Sequence, residues 1–145
     1  MFFQHKGCNL TGEKMEELII EATKSFPYVH LDPTENTLEI RGESYPENAA
    51  KMYAPVFAWL EEYVKGLQDE VVQAELEITY FNSSSSKILM NFFDMLEDAA
   101  ENGKKIVVNW YYHEDNETAL ECGEEFQEDM ELVEFNLREI SDTDD

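Results

Sequence analysis

Basic residues are what this chain has least of. Ten Lys and Arg stand against 33 Asp and Glu, a formal net charge of -23. So anionic a surface repels phosphate backbones and anionic lipid, which argues against direct binding to nucleic acid or an inner-leaflet membrane. It suits a protein that meets basic surfaces on other proteins. Cysteine is almost as scarce: Cys8 and Cys122 fall in no CxxC or Cys/His spacing. Neither a disulfide framework nor a metal site is expected from them, and the pair reads as two reduced thiols of a cytoplasmic protein. Long apolar runs are missing too. No stretch approaches the roughly 18 apolar residues of a membrane span. The opening Met-Phe-Phe-Gln-His-Lys lacks the basic and apolar regions of a signal peptide, so none is expected.

What the chain does contain is enough apolar material for a core. Its 145 residues are 43% hydrophobic, which makes it one folded domain rather than a disordered polypeptide. Residues 1–15 show no clear periodicity and read as a variable N-terminal extension, followed by a domain over 16–140 and a solvated acidic tail over 141–145. Leu18 to Ala22 is either a short edge strand or the end of a helix opened by Thr11 and Glu13-Lys14, with the strand preferred. Tyr28 to Leu31 and Thr37 to Gly42 alternate polar with apolar residues, and Asp32-Pro33-Thr34-Glu35-Asn36 between them carries turn chemistry, which predicts a hairpin. Ala49, Met52, Tyr53, Val56, Phe57, Leu60, Tyr63, Val64 and Leu67 recur at steps of three and four. With Pro46 taken into the first turn, that stripe predicts a helix over about 46–67. A strand over 71–81 follows, then a helix through Ile88, Leu89, Phe92, Phe93 and Leu96, a strand over 106–112, an acidic helix over 118–130 and a last strand over 132–140. Strands alternating with helices predict an α/β fold: one mixed β-sheet with helices packed on it.

Catalytic constellations are missing. Ser83 to Ser86 have no G-x-S-x-G context, His5, His30 and His113 form no metal-ligand array, and no Gly-rich phosphate loop occurs. Between Glu114 and Asp145 there are 14 acids and one base, Arg138. That run is either a solvated face or a docking surface for a basic partner. The junction Tyr80-Phe81-Asn82-Ser83-Ser84-Ser85-Ser86-Lys87 is more informative. Hydroxyls stand there at a helix start, where the first backbone N–H groups lack partners. One reading is a simple cap. Four consecutive serines exceed what a cap requires, and a phosphoryl group placed there would gain from the N–H groups and the helix dipole.

Several segments in order are similar to one family. Gly42-Glu43-Ser44-Tyr45-Pro46-Glu47-Asn48, Pro55-Val56-Phe57-Ala58-Trp59-Leu60, Tyr80 to Lys87, Phe92-Phe93-Asp94-Met95-Leu96-Glu97-Asp98, Asn109-Trp110-Tyr111-Tyr112 and Gly123-Glu124-Glu125-Phe126-Gln127-Glu128-Asp129 resemble the SiaC family of regulatory phosphoproteins. The resemblance spans roughly 18 to 130 and implies a fold similar to the STAS domains of anti-anti-sigma factors. It also implies a non-enzymatic partner switch without a cofactor or metal. A SiaB-type kinase would phosphorylate Ser83, with Ser84 as the alternative acceptor, and a PP2C-type phosphatase of the SiaA kind would remove the phosphate. The unphosphorylated form would bind and activate a GGDEF diguanylate cyclase, raising cyclic-di-GMP and promoting biofilm. Family members carry a hydroxyl residue just after the Asn that ends the central strand, here Asn82. The partner-binding residues expected beside Ser83 are Tyr45, Pro46, Glu47, Asn48, Asn82, Ser84, Ser85 and Lys87. The competing expectation is a STAS-like small-ligand or fixed adaptor module with no phosphoryl switch.

Overall fold

Period-two hydrophobicity becomes six paired strands in the computed structural model, which describes residues 15–141. The elements run β1 (Leu18–Ile20), β2 (Tyr28–Asp32), β3 (Thr37–Ser44), α1 (Ala49–Lys65), β4 (Val71–Phe81), α2 (Ser83–Glu101), β5 (Lys105–His113), α3 (Glu117–Asp129) and β6 (Glu134–Ile140). They make one mixed sheet in the order β1-β2-β3-β4-β5-β6. The first three strands form an antiparallel meander. The last four are parallel and joined by helical crossovers. The proposed extension and tail lie outside the described residues except for Met15 and Ser141; Met15 already packs against the core.

Topology decides where the core sits. Three crossovers of one hand, each stepping to the next strand in the same direction, deliver all three helices to one face of the sheet. The burial pattern agrees: Val72, Ala74, Leu76 and Ile78 of β4 are buried, as are Leu38 and Ile40 of β3 and Val108 and Trp110 of β5. Helix α1 contributes Tyr53, Val56, Leu60 and Tyr63, and α2 contributes Leu89, Phe92, Phe93 and Leu96. Phe93 anchors an aromatic cluster, its ring centroid 5.0 Å from Phe126 of α3 and 5.3 Å from Phe135 of β6. Tilted and edge-on pairs of this kind add about 0.5–1.5 kcal/mol each beyond their buried area. Helix α3 approaches the sheet closely because residue 123 has no side chain. A Cβ there would lie 2.6 Å from the Trp110 ring. Within α1 the Trp59 and Tyr63 rings stack, with centroids 4.7 Å apart.

Among the described residues the opposite face carries no helix, and it is polar. Glu75 accepts from Asn109 Nδ2 at 2.7 Å and from Tyr111 OH at 2.6 Å. Glu77 pairs with Arg41 Nη1 at 2.7 Å and with His113 Nε2 at 3.2 Å. These residues occupy the alternate positions of β3, β4 and β5, so the strand period separates an apolar face from a hydrogen-bonded one.

Two helix starts differ from the sequence reading. Helix α1 begins at Ala49, because the Asn48 side chain accepts from Lys51 N at 3.1 Å and closes the first turn there. Pro46 therefore precedes the cap instead of sitting inside the helix. Helix α2 begins at Ser83, earlier than the apolar stripe suggests, because Asn82 is the cap and the serines themselves form the first turn.

Candidate functional site

The ends of β3 and β4 meet at the top of the parallel part of the sheet. Asn82 N donates to Ser44 O at 3.1 Å, which fixes the segment 44–48 beside the segment 80–86. Above that contact the Tyr45 and Tyr80 rings meet edge-on, centroids 5.8 Å apart. Tyr80 is about half exposed, which is unusual for a large aromatic in a small domain.

Asn82 turns the chain into α2. Its side chain accepts from Ser85 N at 2.9 Å and its carbonyl from Ser86 N at 2.9 Å. With two first-turn amides used in this way, the N–H groups of Ser83 and Ser84 make no hydrogen bond within the described chain. Both of those serines are exposed. The helix macrodipole places partial positive charge at this end, and Lys87, exposed, follows Ser83 by one turn on the same face. A dianion on the Ser83 oxygen would therefore meet two free donors, a dipole and a cation without displacing any core group.

Beneath the exposed serines lies a buried hydroxyl chain. Ser44 Oγ is 2.7 Å from Tyr53 OH and 2.7 Å from Ser85 Oγ. Ser44 and Ser85 have no exposed surface and Tyr53 has almost none. The three residues tie β3, α1 and α2 together at one point. Burial pushes the Tyr53 phenol up to about 12, while its hydrogen bond with Ser44 pulls the other way.

The expected binding residues thus divide. Ser83, Ser84, Lys87, Glu47 and Asn48 are exposed, and Tyr45 and Asn82 are half-buried at the same end of the sheet. Ser85 and Pro46 do not face outward. Ser85 is committed to Ser44 inside the core and Pro46 is buried, so neither side chain is open to a partner. Ser44, Tyr53 and Tyr80 were not singled out from the sequence for this site. The missed signal was periodic: Ser85, Leu89, Phe92 and Leu96 stand four, three and four residues apart on the buried stripe of α2. Elsewhere, Glu17, His30 and Asp32 bring ligand atoms within 4.8 Å of one another on the meander. His30 Nε2 already bonds Glu17 at 2.7 Å, and Asp32 Oδ1 accepts from Thr34 N and Glu35 N. No helix of the described residues is long and apolar enough to cross a membrane.

Comparison with known proteins agrees with this fold. An uncharacterised protein of Pseudomonas aeruginosa is 35% identical over 115 residues, covering 79% of this chain and 90% of that one. The crystal structure of apo-SiaC from Pseudomonas aeruginosa superposes with a TM-score of 0.78 at 32% identity, covering 86% of this chain and 99% of that chain. The crystal structure of the diguanylate cyclase SiaD in complex with its activator SiaC, from the same organism, contains a chain that matches with a TM-score of 0.80 at 32% identity, covering 85% of this chain and 99% of that one. The sequence model of the SiaC family regulatory phosphoproteins matches residues 20–140. With a capped helix start presenting exposed serines at the end of its central strand, and a family match over most of its length, this chain belongs to the SiaC family of regulatory phosphoproteins.

Proposed function

We propose that this protein is a non-enzymatic cytoplasmic switch whose reversible phosphorylation at Ser83 controls binding to a diguanylate cyclase. The observation that carries the proposal is the Ser83 hydroxyl, exposed on the first turn of α2 beside two unbonded amides. A phosphoryl group adds about -1.5 to -2 charge there and three acceptor oxygens. The scaffold tolerates it because the adjoining core is closed off by the Ser44–Ser85 bond. A cyclase that reads the surface formed by Tyr45, Tyr80, Ser83 and Lys87 would distinguish the two states. The solved SiaD–SiaC complex supports a cyclase as the output partner. A SiaB-type kinase and a SiaA-like PP2C phosphatase complete the cycle, and Ser84, also exposed, is the secondary acceptor.

Mass spectrometry after incubation with the cognate kinase tests the acceptor. A single phosphate on Ser83, abolished in Ser83→Ala, is expected; undiminished modification of Ser83→Ala refutes it. The fixed-adaptor alternative predicts that wild type, Ser83→Ala and Ser83→Asp bind partners equally.

A further inference from the structure

Strands β4 and β5 part company before they end. Their ladder runs from Val71↔Lys105 to Leu76↔Trp110 and stops there. Beyond it β4 stays with β3 as far as Phe81, and β5 stays with β6 as far as His113. The sheet therefore opens between its two central strands at their carboxyl ends. Asn116, the cap of α3, reaches across the opening, its Nδ2 donating to Thr79 O at 3.1 Å. What remains is a cavity of about 270 Å³ lined by Ile78, Tyr80, Phe81, Thr118, Ala119 and Cys122 among others.

The lining is mainly apolar, and the volume falls just short of the roughly 300–1,000 Å³ typical of small-molecule sites. It matches one large side chain better than a cofactor. The helix that supplies Cys122 has the opposite character on its exposed side. Asp115, Glu117, Glu121 and Glu125 are exposed on and before α3. Glu121 and Glu125 lie close enough to Cys122 to help burial push its thiol up. An apolar socket beside an acidic helix face selects an apolar anchor flanked by basic residues, because each half alone is matched by only part of such a segment. Tyr80 and Phe81 place the socket directly before Asn82 and Ser83, on the surface that phosphorylation would change.

We infer that the cleft between the ends of β4 and β5 is the anchor site for the partner, receiving one apolar side chain of a segment that carries Lys or Arg on either side. This rests on the cyclase-binding reading above and adds to it where the cyclase engages and with what chemistry.

Cys122 lines the cleft and is the natural reporter. In a Cys8→Ser background, alkylation by N-ethylmaleimide is followed by mass, with and without saturating cyclase. The expected result is at least a tenfold slower alkylation of Cys122 in the complex. Alkylation at the free-chain rate within a formed complex overturns the inference while leaving cyclase binding intact. Absence of any complex with the unphosphorylated chain overturns the underlying reading, and the inference with it. Cys122→Phe, which fills the cleft from within, should weaken the complex at least tenfold. If that variant fails to fold, alkylation protection alone decides. Binding should also weaken several-fold between 50 and 300 mM salt, since the acidic charges on and before α3 are exposed; salt-independent binding contradicts the basic flanks.

Discussion

Replacing Ser44 with Ala removes one oxygen and leaves two buried hydroxyls stranded. Ser44 Oγ is the bridge between Tyr53 OH and Ser85 Oγ, each 2.7 Å away, in a region with essentially no solvent access. An unsatisfied buried hydroxyl costs about 1–3 kcal/mol, so stranding two of them should cost the variant roughly 2–6 kcal/mol. For a domain of this size that is about 6–24 °C in Tm. Ser85→Ala is the informative control. It leaves Ser44 bonded to Tyr53, so its loss should stay near 1 kcal/mol, or about 3–4 °C. The double variant should cost less than the sum, because removing Ser85 takes away one of the groups that Ser44→Ala would strand. Chemical denaturation of the four proteins, monitored by circular dichroism, gives all three differences. Equal losses for the two single variants, or a Ser44→Ala loss below about 0.5 kcal/mol, would refute the bridging role and the claim that α2's first turn is locked to the sheet from below.

Gly123→Ala should lower Tm by about 3–10 °C, corresponding to about 1–3 kcal/mol of overpacking, because the new methyl would sit 2.6 Å from the Trp110 ring and 2.9 Å from Leu137 Cδ2; thermal melts check it. Asn82→Ala removes the cap of α2 and should cost about 1 kcal/mol, with faster amide exchange at Ser85 and Ser86. Tyr53 supplies an alkaline signature. Its folded pKa lies above the ordinary 10, at about 12, so the fold holds a proton that the unfolded chain releases. This stability is complete below pH 10 and is lost between pH 10 and about 12, roughly 3 kcal/mol in all. Tyr63, raised in the same direction by burial, adds to the loss. Stability measured from pH 9 to 12 should therefore fall.

The strands and helices were legible because their periods are clean. In β4 the alternation of Ala74, Leu76 and Ile78 with Glu75 and Glu77 survives unchanged in the burial pattern. The stripe of α1 likewise reappears as Tyr53, Val56, Leu60 and Tyr63. The helix starts were less legible, because a cap is a local hydrogen bond and any of several polar residues could make it. Asn48 and Asn82 took that role, leaving Pro46 outside α1 and the serines inside α2. The four serines looked equivalent as letters, yet a helix turns about 100° per residue, so they point in different directions. Ser83 and Ser84 face solvent and Ser85 faces Ser44. Ser44 was hidden for a related reason: it continues the inward positions Leu38 and Ile40 of β3, where a hydroxyl reads as a loop residue until its partner is known. The opening between β4 and β5 left no trace in either strand, since it depends on where their mutual ladder stops.

The switch itself is tested most directly by titrating the cognate diguanylate cyclase with two forms of the full chain, one unmodified and one phosphorylated only at Ser83. The unmodified form is expected to bind, and the phosphorylated form to bind at least tenfold more weakly while keeping its circular dichroism spectrum. Equal affinity of the two forms would contradict the account.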